Sequence, residues 1–397
     1  MSTHTPENKP TARHSVLTKA KEIAETLRET AIERDLKGGT ALAERQLLRE
    51  SGLLNTIIPT ALGGLGEDWK TMLQIVRLFS QVDSSIGHLF GFQHLILATI
   101  DLFGTETQRN HYYKKTVDEK LFWGNALNPL DRGTTAVIDT DGNYRFNGKK
   151  GFSSGSSDSD MLLVSGFLND KITIGMTPSS AEGIDIKNDW NNFGQRQTDS
   201  GTVIFDNLIL KKEQILLDPG PLGNVRATLR SCLAQLILIY IYIGIAEGAL
   251  QEAKNYTVVQ TRAWHTAGVN TPQEDPYILA NYGNLWLSLQ TSLSLAKQAA
   301  ETFQQQWNMH DKITIKQRGK VALDIALAKV QAIRTGLEIT NKMFDVTGSR
   351  ATNGSARLDR YWRNLRTHSL HDPVDYKIKE LGEWFLNDKI PEPGFYS

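Results

Sequence analysis

The chain has 397 residues, with 44 lysines plus arginines balanced by 44 aspartates plus glutamates. At about 150 residues per domain this is two or three packing units with a large core, and zero net charge gives no global field to draw nucleic acid. The single cysteine, Cys232, excludes an intrachain disulfide and cysteine-built zinc or iron–sulfur sites, and fits a reducing, cytoplasmic compartment.

Residues 1–14 are polar, with neither an apolar stretch nor a small-residue cleavage pattern, and read as a disordered tail. From 15 to 120 apolar residues recur at helical spacing, as in Ile23, Leu27 and Ala31 or Met72, Ile75, Val76 and Phe79. Pro59, Gly63, Gly64 and Gly66 interrupt them with a loop over 53–68. From 121 to 219 the pattern changes to the short alternating runs AVIDT, NYRFNG, MLLVSGF, ITIGMT and GTVIFDNLIL, a β unit with turn signals at Asp141-Gly142 and Asn147-Gly148. From 220 to 397 long helices resume, over 233–259, 275–307 and 316–346. The most apolar run, LAQLILIYIYIGIA at 233–246, is shorter than the roughly 20 residues a bilayer requires and contains Gln235, so a core helix and no membrane association are expected. The class is α+β, in the order helices, strands, helices.

No G-x-G-x-x-G follows a strand and no Walker A sequence is present, so electrons for any redox chemistry would arrive on a carrier. Gly151-Phe152-Ser153-Ser154-Gly155 fits the hydrolase elbow in letters, but SSGSSDSDM is a poor helix opening. His368, His371 and Asp372 lie close together; Pro373 opposes helical geometry there, and a histidine-bearing loop or helix end is expected rather than a metal site. Arg357, Arg360, Arg363 and Arg366 recur every third residue, as a solvated helix face or an anion subsite. Taken alone, His88 reads as a satisfied core histidine, and Asn125 and Ser154 as turn or strand-end residues.

GLLNTIIPTALGGLGEDWKTMLQIVRLFSQVDSSIGHLFG, FGTETQRNHYY, NGKKGFSSG and NFGQRQTDSGTVIFDNLIL resemble, in order, the acyl-CoA dehydrogenase superfamily. The resemblance implies a helical amino-terminal domain, a central β-barrel-like domain and a carboxy-terminal four-helix bundle, with flavin between the last two. SSIGHLFGF, FWGNALNP, GKKGFSSGSSDSD, DWNNFGQRQTDSG, TRAW and RTHSLHDPVDYK are more similar to its reduced-flavin-dependent monooxygenases, especially the dibenzothiophene monooxygenase branch. There, reduced FMN from a separate NAD(P)H-dependent flavin reductase reacts with O2 to form a C4a-hydroperoxide, whose distal oxygen passes to sulfur or nitrogen. The alternatives are an FAD-dependent acyl-CoA dehydrogenase and a catalytically silent flavin-binding scaffold.

The resemblance assigns His88 and His371 to holding or protonating the peroxide, and Asn125 and Ser154 to hydrogen-bonding flavin and peroxide. It places Phe92, Asn128, Lys150 and Ser153 along the flavin, and Arg262, Ser349 and Arg350 at the FMN phosphate, across a subunit boundary of a homotetramer. The family often has tyrosine where this chain has Phe92, which puts dibenzothiophene itself in question and leaves the substrate open among dibenzothiophene-like compounds, alkyl sulfides, sulfoxides, sulfones and an amine.

Overall fold

The structure is a computed structural model that describes residues 12–397; residues 1–11 of the expected disordered tail lie outside the described residues. Five helices come first: α1 (Ala12–Lys37), α2 (Leu42–Ser51), α3 (Trp69–Val82), α4 (Ser84–Phe103) and α5 (Glu106–Glu119). Asp83 closes α3 and at once caps α4, its carboxylate accepting from the amides of Ser85 and Ile86. This one-residue joint folds α4 back on α3, and α4 is buried along nearly its whole length.

Seven strands follow: β1 (Trp123–Ala126), β2 (Thr134–Ile138), β3 (Tyr144–Lys150), β4 (Met161–Leu168), β5 (Lys171–Pro178), β6 (Ile184–Ile186) and β7 (Val203–Leu210). They form one sheet in the order β1-β4-β2-β3-β7-β6, with β5 antiparallel along the other edge of β4. β1 and β2 both run parallel to β4, one beside its first half and the other near its end. The sequence patterns do not mark β1 or β6. β1 is buried at all four positions and β6 has three residues, so neither carries a period-two signal.

The Asp141-Gly142 signal falls on the hairpin between β2 and β3, where the Asp139 amide donates to the Asn143 carbonyl. The Asn147-Gly148 signal is not a turn: it lies inside β3, at a register shift against β7. Gly148 has φ +124°, and a Cβ there would stand 2.0 Å from the Gly133 carbonyl oxygen. A bulge needs the same backbone freedom as a turn, which is why the dipeptide reads alike in both.

The last unit comprises α6 (Leu229–Val259), α7 (Pro276–Trp307), α8 (Ile315–Thr347), α9 (Asp359–Ser369) and α10 (Val374–Asn387). The long helices α6, α7 and α8 pack together, α9 lies against α6 and α8, and α10 lies against α8. α6 also packs on α3 and α4, which joins the two helical units into one core. Both α4 and α6 are long and apolar enough to cross a bilayer, but 89% of each apolar window is buried inside the protein. They are the core helices on which the site is built.

Candidate active site

A cavity of about 370 Å³ opens where α4, the β unit, α6 and the end of α9 meet. α4 presents His88, Phe92 and Leu95 to it, one helix face at i, i+4 and i+7. β1 supplies Asn125, the loop after it Asn128, and the turn after β3 Ser154. α6 supplies Arg230, Ala234 and Gln235, α9 and its end supply His368 and His371, and Phe395 and Tyr396 approach from the carboxy-terminal segment.

Five side chains form one hydrogen-bonded line, and a backbone carbonyl fixes its direction. Thr198 Oγ1 lies 3.0 Å from the Gln195 carbonyl oxygen, which can only accept, so threonine donates. Ser200 Oγ (2.8 Å) must then donate to Thr198, and Ser154 Oγ (2.8 Å) to Ser200. His88 Nε2, 3.0 Å from Ser154 Oγ, carries the next proton, and His368 Nε2 donates across 2.9 Å to His88 Nδ1. Both rings are therefore neutral Nε2–H tautomers. Burial, reinforced by the charge of His371, pulls His88 down to about 3, and burial beside His88 holds His368 well below the usual range. Phe92 stacks on the His88 ring at 4.0 Å and holds its plane. Among the described residues, three buried acceptors lining the cavity have no hydrogen-bond partner: Asn125 Oδ1, Gln195 Oε1 and His368 Nδ1.

A second network orients His371. Its Nδ1 lies 3.0 Å from Asp372 Oδ1, which also accepts from the fully buried Lys329 ammonium; Lys329 donates as well to Gln235 Oε1. Burial pushes the Asp372 carboxyl up, but the hydrogen bond from His371 and the charge of Lys329 outweigh it and hold it below its usual range. Burial lowers Lys329 to about 8, so it remains an ammonium at neutral pH. Asp372 stands behind the cavity wall, and no aspartate or glutamate is among the described residues that line the cavity.

The expected residues separate into three groups. His88, Phe92, Asn125, Asn128, Ser154 and His371 line the cavity together. Lys150 and Ser153 do not. The Lys150 ammonium is spent on the carbonyls of Asn128 and Asp131, tying down the loop that carries Asn128, and Ser153 Oγ donates to the Lys150 carbonyl at 3.2 Å. Arg262, Ser349 and Arg350 are exposed and outside the cavity lining; the Thr261 hydroxyl bond to the Thr347 carbonyl, 3.1 Å, brings their two segments together. In the arginine run, Arg357 and Arg363 clamp Asp35 of α1, Arg363 at 2.6 Å, so these two close helices together rather than form an anion subsite. Sequence reasoning missed Ser200, Thr198, Lys329 and Arg230, and gave His368 no role in this site. His368 was visible only as half of a histidine pair, because its partner lies 280 residues away.

The acyl-CoA dehydrogenase N-terminal domain family matches residues 11–120, and the acyl-CoA dehydrogenase C-terminal domain family matches residues 236–376. A probable FMNH2-dependent monooxygenase of Pseudomonas putida, SfnC, is 49% identical over 95% of this chain and 96% of that protein. The methanesulfinate monooxygenase MsuC of Pseudomonas fluorescens superposes with a TM-score of 0.95 at 49% identity, covering 96% of this chain and 99% of that one. The FMN-bound TdsC of Paenibacillus superposes at 0.92 and 39% identity, over 97% and 100%. The chain belongs to the acyl-CoA dehydrogenase superfamily, in its branch of flavin-dependent monooxygenases of sulfur compounds.

Proposed function

We propose that this protein is an FMNH2-dependent monooxygenase that transfers one atom of O2 to a small organosulfur compound, with reduced FMN delivered by a separate NAD(P)H-dependent flavin reductase. The observation that carries the reading is the neutral, one-directional line from His368 through His88 to Ser154 and Ser200, in a cavity without a lining carboxylate among the described residues. An acyl-CoA dehydrogenase needs a base aimed at an α-proton. Asp372, the carboxylate behind the wall, is engaged by Lys329 and His371.

The donor set suits a reduced flavin. Asn125 Oδ1, Gln195 Oε1 and His368 Nδ1 are buried acceptors waiting for N–H donors, and a reduced isoalloxazine carries them at N3 and N5. When bound, reduced FMN supplies the electrons that activate O2 and the electrophilic oxygen that sulfur attacks. Asn125, Asn128 and Ser154 would hold its ring from the β side. His88 Nε2–H donates to Ser154 Oγ, and this neutral pair keeps its protons within the line, so it adds no acidity that would discharge a bound oxygen species as hydrogen peroxide. His371, steadied by Asp372, lines the cavity from the end of α9, where an imidazole nitrogen can donate to or accept from a bound group. Arg262, Ser349 and Arg350, uncovered in a single chain, would meet the FMN phosphate of a neighbouring copy in a homotetramer.

The test supplies reduced FMN from a flavin reductase and NADH under isotopically heavy O2, and follows organosulfur products by mass spectrometry. One heavy oxygen in the product, formed only when protein and reduced FMN are both present, is the expected result. If reduced FMN oxidises as it does free in solution, and bound FAD is bleached by an acyl-CoA, the dehydrogenase reading replaces this one.

A further inference from the structure

We propose that Arg230 anchors the substrate, and that this substrate is a small sulfur anion, an alkanesulfinate, held by its two oxygens. The proposal rests on the monooxygenase reading above and names its substrate class.

Arg230 is 5% exposed and lines the cavity from α6. Its Nε donates to Thr99 Oγ1 at 3.0 Å, and among the described residues its side chain has no other hydrogen bond and no ion pair. Other buried arginines find richer partners: Arg34 pairs with Asp83 at 2.7 Å, Arg45 with Asp199 at 3.3 Å, and Arg360 donates to the Arg357 carbonyl and the Tyr361 hydroxyl. Burial lowers Arg230 to about 10, so it is charged at neutral pH. A buried guanidinium facing a cavity without a carboxylate has unspent donors and an unbalanced charge, and both are relieved by an anion.

The placement fits the chemistry. Thr99 lies about three helical turns beyond His88 on α4. Arg230 therefore marks the end of the cavity away from the Ser154–His88 line. A sulfinate carries its charge on two oxygens, which match the guanidinium fork, and keeps a lone pair on sulfur that points away from that fork. The reaction balances as RSO2⁻ + O2 + FMNH2 giving RSO3⁻ + FMN + H2O. One S–O bond forms as the O–O bond breaks, sulfur loses two electrons, the reduced flavin supplies two, and the second oxygen leaves as water. The charge stays on the substrate throughout, so Arg230 is paired before and after transfer. A neutral sulfide would leave the guanidinium unpaired, which is the basis of selection.

The experiment titrates methanesulfinate into the protein with oxidised FMN present, by calorimetry, for the native protein, Arg230→Lys and Arg230→Met. The same proteins are then compared in turnover on methanesulfinate and dimethyl sulfide, with reduced FMN supplied. Arg230→Met should weaken methanesulfinate binding by about 30-fold or more, the worth of a charge-assisted pair, with Arg230→Lys intermediate. The ratio of sulfinate to sulfide turnover should fall with it. Equal methanesulfinate affinity in native protein and Arg230→Met overturns the proposal. So does oxygenation of dimethyl sulfide by a native protein that does not bind methanesulfinate, and the monooxygenase reading then stands. Arg230-dependent binding without oxygenation of any sulfur compound overturns the reaction and the monooxygenase reading with it.

Discussion

Replacing Lys329 with methionine removes the ammonium that neutralises Asp372 while nearly preserving side-chain volume. Lys329 is fully buried and Asp372 is 9% exposed, so among the described residues the carboxylate left behind keeps only His371 and the amide of Gln235 as hydrogen-bond partners. Breaking a buried pair from one side costs about 3 to 5 kcal/mol. With an unfolding entropy of about 2.1 cal/mol/K per residue over 397 residues, that lowers the melting temperature by about 4 to 6 °C at pH 7. In the native protein Asp372 is held below its unfolded value, so its contribution is present above the unfolded pKa and is lost as the pH falls through the folded one. In Lys329→Met burial acts on Asp372 with less opposition and raises its pKa. The deficit against native protein should therefore shrink between pH 8 and pH 5 as the carboxyl takes up a proton. Adding Asp372→Asn removes the orphaned charge and should recover at least half of the loss, a coupling of about 2 to 3 kcal/mol in a double-mutant cycle. Calorimetric melting of the four proteins at pH 5, 7 and 8 measures this. Additive losses, or a deficit independent of pH, would refute the assignment of Lys329 as the counterion of Asp372.

His88→Phe keeps the ring stacked in α4 but deletes the two hydrogen bonds that link Ser154 to His368. Oxygenation should fall about 10²- to 10⁴-fold, with hydrogen peroxide per flavin consumed rising in parallel; an unchanged peroxide ratio contradicts the role of the Ser154–His88 pair. His88 at about 3, His94 at about 4 and His368, held well below the usual range, are all depressed by burial, so the unfolded chain takes up their protons first as pH drops below about 6.5. Melting temperature should be steady above that value and fall progressively toward pH 4, and a flat profile would show that these rings are not held neutral. At the α4–α6 contact, a Cβ on Gly91 would stand 2.5 Å from Ile237 Cγ2, so Gly91→Ala should cost about 1 to 3 kcal/mol. Ile237→Ala should cost less in that background than in the native one, as read by denaturant unfolding.

The sequence by itself determined the succession of helices, strands and helices, because periodicity records which face of each segment is buried. Its family segments also carried His88, Phe92, Asn125, Asn128, Ser154 and His371 to one cavity. The short buried strand β1 and the bulge at Gly148 escaped it, since neither leaves a local pattern that differs from a loop or a turn. Only the tertiary structure decided what each polar side chain touches. Lys150 turns to loop carbonyls, and Arg357 and Arg363 reach Asp35 more than 300 residues away. His368 meets His88 across 280 residues, and Arg230 is left facing the cavity with a single hydroxyl partner among the described residues. Periodicity constrains a residue's direction on its own element; its partner is chosen by how separate elements close on one another, and spacing along the chain does not encode that.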